Sequence, residues 1–169
     1  MSAQYTKYNI QNTSAYTLIE ILVGLTIIGM LFGFGFTSFR DFSRRQAVGG
    51  VGKLVVGDLR LAQEQALSGQ KPIDAKCDPP NNLSGFTFTV SSSSQYLVAA
   101  NCSGGPVTVK TVNMPDGIIL STPSPNPIEF KVLGHGTNLV SGATAVVTIS
   151  QVGINNTLDV IVSSSGEIK

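Results

Sequence analysis

The sequence predicts an α+β chain in which one long N-terminal helix, uniformly apolar at first and amphipathic later, packs on an antiparallel β head of six or seven short strands. Three observations carry this. From Tyr16 to Phe39 the chain holds one residue charged at neutral pH, Glu20. From Gln46 to Leu67 the apolar residues recur every three or four positions, the period of a half-buried helix. After Lys71 that period gives way to short alternating runs separated by Pro, Gly, Asn and Ser.

The apolar stretch comes first. A helix over residues 16–39 rises about 1.5 Å per residue and so matches a hydrocarbon core roughly 30 Å thick; the stretch is expected to cross a membrane. A carboxylate there needs a reason, because burying one at mid-bilayer costs about 2.5 to 3.5 kcal/mol on insertion scales. Residues 1–15 have no apolar run and one basic residue, Lys7, and are read as a cytoplasmic leader. A secretory signal peptide is the competing reading, but no A-x-A-like cut follows the apolar run, so the helix is expected to stay attached. Gly29 and Gly33 have the GxxxG spacing that permits close helix approach, and Arg40, Arg44 and Arg45 mark the exit from the hydrocarbon.

Residues 40–69 read as the amphipathic half of the helix. Val48, Val51, Val55, Leu59, Ala62 and Ala66 form its apolar stripe, and Asp58, Arg60, Gln63, Glu64 and Gln65 are placed off it. It is continuous with the first half or joined to it softly at Gly49-Gly50-Val51-Gly52, and Ser68-Gly69 followed by Pro72 ends it. Residues 70–169 form the head. Strands are expected at 86–90, 96–100, 107–112, 117–120, 128–133, 144–149 and 158–162, the first two as a hairpin, in one curved sheet or two small ones.

Composition narrows the function. The chain has 42% hydrophobic and 12% charged residues and a formal charge of +1, so net charge makes no case for nucleic acid. Cys77 and Cys102 lie in the part expected outside the membrane, where disulfides persist; a bond between them is expected, with two unpaired buried thiols as the alternative. Joined, they close a loop worth on the order of 3.5 kcal/mol in the chain-entropy model. The one histidine, His135, sits between two glycines without a ligand or triad partner. Asp74, Asp78, Asp116, Glu129, Asp159 and Glu167 have no metal-loop spacing. No enzyme, metal or cofactor is expected. Asn82 and Asn101 start Asn-x-Ser/Thr triplets that a chain rich in Asn and Ser yields by chance.

The order Ala15-Tyr16-Thr17-Leu18-Ile19-Glu20, then Ile21-Leu22-Val23 and the apolar run, resembles the class III signal of type IV pilins and pseudopilins. Tyr16 stands where the family usually has Phe, and Ala15 where it has Gly. The resemblance implies the pilin fold and cleavage between Ala15 and Tyr16 by an inner-membrane prepilin peptidase. It also implies methylation of the new Tyr16 amine and an assembly role for Glu20, whose charge that amine can balance in a helical bundle. The stretch Phe39-Arg40-Asp41-Phe42, then Leu59-Arg60-Leu61-Ala62-Gln63-Glu64-Gln65-Ala66, and the closing Leu158 to Ile168 resemble H-type minor pseudopilins and FimT-type minor pilins; Gln63 replaces their usual Arg.

By function, the resemblance implies a structural minor subunit of a type II secretion pseudopilus or a type IV pilus, held in a bacterial inner membrane with its head outside. Its partners would be other pilins, the prepilin peptidase, the assembly platform and, before assembly, lipid. The alternatives are a major fibre subunit and a DNA-binding minor pilin of competence. The second asks for a basic surface, whereas Lys53, Arg60, Lys71, Lys76, Lys110, Lys131 and Lys169 are scattered along the head.

Overall fold

A computed structural model describes residues 16–153 and 155–169, apart from the side chains of 34–41. The fold is α+β: helix α1 (Leu18–Ser68), then strands β1 (Leu83–Ser92), β2 (Gln95–Cys102), β3 (Gly105–Asn113), β4 (Ile118–Leu120), β5 (Ile128–Lys131), β6 (Thr144–Gln151) and β7 (Thr157–Ser163). The chain divides into two units, one ending at Asp41 and one running from Phe42 to Lys169.

In the first unit, α1 starts at Thr17, whose hydroxyl oxygen accepts the Glu20 N–H at 3.3 Å while its carbonyl accepts the Ile21 N–H at 3.2 Å. Thr17 is thus the N-cap and Glu20 the third helical residue, the spacing of a capping box, with the carboxyl at the positive end of the helix dipole. Among the described residues no helix is long and apolar enough to cross a membrane. Within the expected span, side chains are described from Tyr16 to Gly33. The rest of the expected span lies outside the described side chains, as does the leader, residues 1–15.

In the second unit the helical stripe behaves as its spacing predicts. Val48, Val51, Val55, Leu59, Ala62 and Ala66 are all buried. The backbone stays helical through 49–52, so there is no joint there. Gly52 has a packing reason instead: a Cβ on it would run into the Leu158 side chain of β7. The helix ends as a Schellman turn, with Gly69 at φ +62° donating to the Ala66 carbonyl and Gln70 donating to the Gln65 carbonyl.

All seven expected strands form, in two antiparallel sheets ordered β3-β2-β1-β5 and β4-β6-β7. Alternation sets their faces: Phe86, Phe88 and Val90 on β1, and Tyr96, Val98 and Ala100 on β2, are buried with Ile128 and Phe130 of β5. Ala145, Val147 and Ile149 on β6, and Val160 and Val162 on β7, join the same core as the helical stripe. One strand is shorter than its apolar run suggests. β5 stops at Lys131, because Leu133 (φ 57°) and Gly134 (φ 78°) take left-handed backbone that no strand can continue. Cys77 and Cys102 are joined, which fixes the 70–82 connection to the end of β2.

Candidate functional site

The residues expected to matter for processing and assembly sit at the start of α1. Ala15 lies outside the described residues. Tyr16 is exposed, and with Glu20, Ile21, Gly24, Leu25 and Ile28 it lines a shallow groove of about 370 Å³. Spacing explains the grouping: 16, 20 and 24, with 21, 25 and 28, fall on one side of a helix. Leu18, Ile19, Leu25, Met30, Leu31 and Phe32 are each at least 65% exposed, so among the described residues from Leu18 to Gly33 the surface is apolar with one carboxylate, Glu20, near its start. Such a surface is unfavourable in water.

A second polar site lies between α1 and the four-stranded sheet. Asp58 is 5% exposed; one carboxylate oxygen accepts the Tyr96 hydroxyl and the other accepts Lys110 Nζ, each at 2.7 Å. The three residues come from α1, β2 and β3, so the carboxylate ties the helix to the four-stranded sheet. The expectation that Asp58 lies off the apolar stripe is thus overturned. It lies three residues after Val55 and four before Ala62, inside the stripe, and that spacing was a readable signal. Gln63, which replaces the Arg of the resembling subgroup, donates to the Gly166 carbonyl at 3.0 Å and pins the C-terminal turn.

Burial first, and then the bond to Asp58 and its negative charge, push the Tyr96 hydroxyl well above the usual tyrosine range. The folded state therefore keeps this proton where the unfolded chain loses it, above about pH 10. Its contribution is full below that pH and is lost as pH rises toward the folded value. Urea unfolding between pH 8 and 11 is expected to show a steeper alkaline loss for the native chain than for Tyr96→Phe. Parallel curves would contradict this.

The remaining candidates stay apart. His135 is exposed in the turn after β5. Among the described residues no group of three His, Cys, Asp or Glu side chains could hold a metal ion. No protein-family model, curated protein or solved structure matches the chain.

Proposed function

We propose that this chain is a structural minor pilin or pseudopilin, a subunit of a type II secretion pseudopilus or a type IV pilus. One observation carries the reading: the ordered string Ala15-Tyr16-Thr17-Leu18-Ile19-Glu20 immediately before an apolar run. In this reading the prepilin peptidase cuts after Ala15, the Tyr16 amine is methylated, and residues 16–39 hold the subunit in the inner membrane until it is extracted into a filament.

The exposed apolar side chains from Leu18 to Phe32 and the position of Glu20 in the first helical turn support it. A lone carboxylate is penalised in lipid, whereas one paired with a neighbour's terminal amine is not, so the same acid that disfavours the free subunit favours its insertion into a bundle. The α+β head, fastened by a disulfide, suits a part displayed outside the cytoplasm.

The test is sequencing of the mature N-terminus from membranes, with methyl-tyrosine at position 16 as the expected first residue. An intact initiator end would sink the proposal. Glu20→Ala is expected to be processed and to remain in the membrane but to fall at least tenfold in sheared filaments. Normal incorporation of the variant would remove the assembly role.

A further inference from the structure

A groove of about 520 Å³ lies wholly within the second unit, between α1 and β7. Its helical wall is Gly49, Gly52, Lys53, Val56, Gly57 and Arg60, and its other wall is Leu158, Asp159 and Val160, with Lys169 at one end. β7 is an outer strand of its sheet.

Hydrogen bonds show which way the β7 backbone points. Ile161 exchanges two bonds with Lys169, at 3.0 and 2.9 Å, so its N–H and C=O face away from β6. In an antiparallel ladder that direction alternates, so Asp159, two residues earlier, faces the same way. Its partner on β6, Thr148, agrees. Thr148 directs its C=O to the Ser121 N–H and its own N–H to the Ser121 hydroxyl, both at 2.8 Å and both on the side away from β7. Among the described residues, the Asp159 N–H and C=O, turned away from β6, take no turn or loop bond from another backbone group. The β7 edge is thus paired at Ile161, and at Asp159 it faces the groove.

We propose that this open edge takes an extended acidic segment of a partner protein, added antiparallel to β7 at Asp159. Main-chain bonds to Asp159 supply the pairing, and the groove supplies the selection. Lys53 and Arg60 are exposed, and among the described residues neither has a carboxylate at ion-pair distance. Seven residues apart, they lie on one helix face about 10.5 Å from each other. Residues i and i+4 of a strand share a face and lie about 13 Å apart, within reach of two long cationic side chains. The residue between them, i+2, meets Val56, Gly57 and Leu158, which asks for an apolar side chain. The favoured face is acidic, apolar, acidic. A second copy pairing β7 against β7 about a two-fold axis would instead bring the Asp159 carboxylates close together, which disfavours it. The proposal does not depend on the pilin reading, since it uses residues of the second unit alone.

The probe is a labelled seven-residue peptide, Thr-Glu-Thr-Val-Thr-Glu-Thr, titrated against the full chain, with Lys in place of Glu as its counterpart. Expected are binding of the acidic peptide only, at least tenfold slower exchange of the Asp159 amide on binding, and at least tenfold weaker binding to Lys53→Glu/Arg60→Glu. Asp159→Pro removes the outward N–H that the fold does not use, as outer strands tolerate. It is expected to keep the melting temperature within a few degrees and to lose the peptide at least tenfold, even though losing the Asp159 carboxylate would favour an acidic ligand. An unchanged Asp159 exchange rate, equal binding of the lysine peptide, or full binding by a folded Asp159→Pro overturns the proposal. So does retention on phosphatidylglycerol vesicles that needs Lys53 and Arg60 while the peptide fails to bind, which would make the groove a lipid contact.

Discussion

Asp58→Ala lowers the unfolding free energy of the head by about 2 to 4 kcal/mol, the expected result of leaving a buried hydroxyl without its acceptor and a cation without its partner. The larger share comes from Tyr96. Its side chain is fully buried, packed on Phe88 with ring centroids 4.8 Å apart, and cannot turn to water for a replacement bond. Lys110 contributes less, because its side chain is 39% exposed and regains solvent when released. Asp58→Asn keeps an acceptor and is expected to lose about half as much. In a Tyr96→Phe background, Asp58→Ala is expected to cost at least about 1 kcal/mol less than alone, since the shared bond is already gone. Urea unfolding of the full chain, tracked by far-ultraviolet circular dichroism, measures all four variants. A loss below about 0.5 kcal/mol for Asp58→Ala would show that the site is not a tie between helix and sheet.

The second large effect is expected at the disulfide. Converting both Cys77 and Cys102 to Ala is expected to cost on the order of 3 kcal/mol, mostly by freeing the unfolded chain. The native state adds a local component. Between the end of α1 and the start of β1 the chain runs through turns, held by short-range bonds such as Asp74 to Cys77 and by Lys71 Nζ on the Asn81 carbonyl. Without the covalent link this connection is expected to be cut by protease before the strands are. Equal denaturation midpoints for oxidised and reduced protein would refute the stabilising role.

Much of the architecture was legible because periodicity reports burial directly. The stripe from Val48 to Ala66 and the alternation of Phe86, Phe88 and Val90 are consequences of repeats of 3.6 and 2 residues, and both are buried as read. The strand ends were less legible, since they depend on backbone states: Leu133 belongs to an apolar run, but its left-handed backbone ends the pairing. The choice between one curved sheet and two small ones stayed open, and the strand order was not readable, because both depend on long-range pairing such as β1 with β5. Asp58 was misplaced for a different reason. A charged residue was assigned to the solvent face by type, although its position put it among Val55, Leu59 and Ala62, and its partners Tyr96 and Lys110 lie 38 and 52 residues away. The open edge at Asp159 is likewise a matter of backbone direction, which side-chain patterns do not record.

The strand order also bears on how the head comes apart. The chain gives β1, β2 and β3 to one sheet, β4 to the other, returns for β5, and crosses again for β6 and β7. Neither sheet is a continuous piece of sequence, so no single cut can release one of them whole. A fragment ending before β5 would expose the outer side of β1, and one ending before β6 would strand β4 with nothing to pair with. Crossovers of this kind interlock the two layers, so the head is expected to melt in one step and to resist division into smaller folding parts.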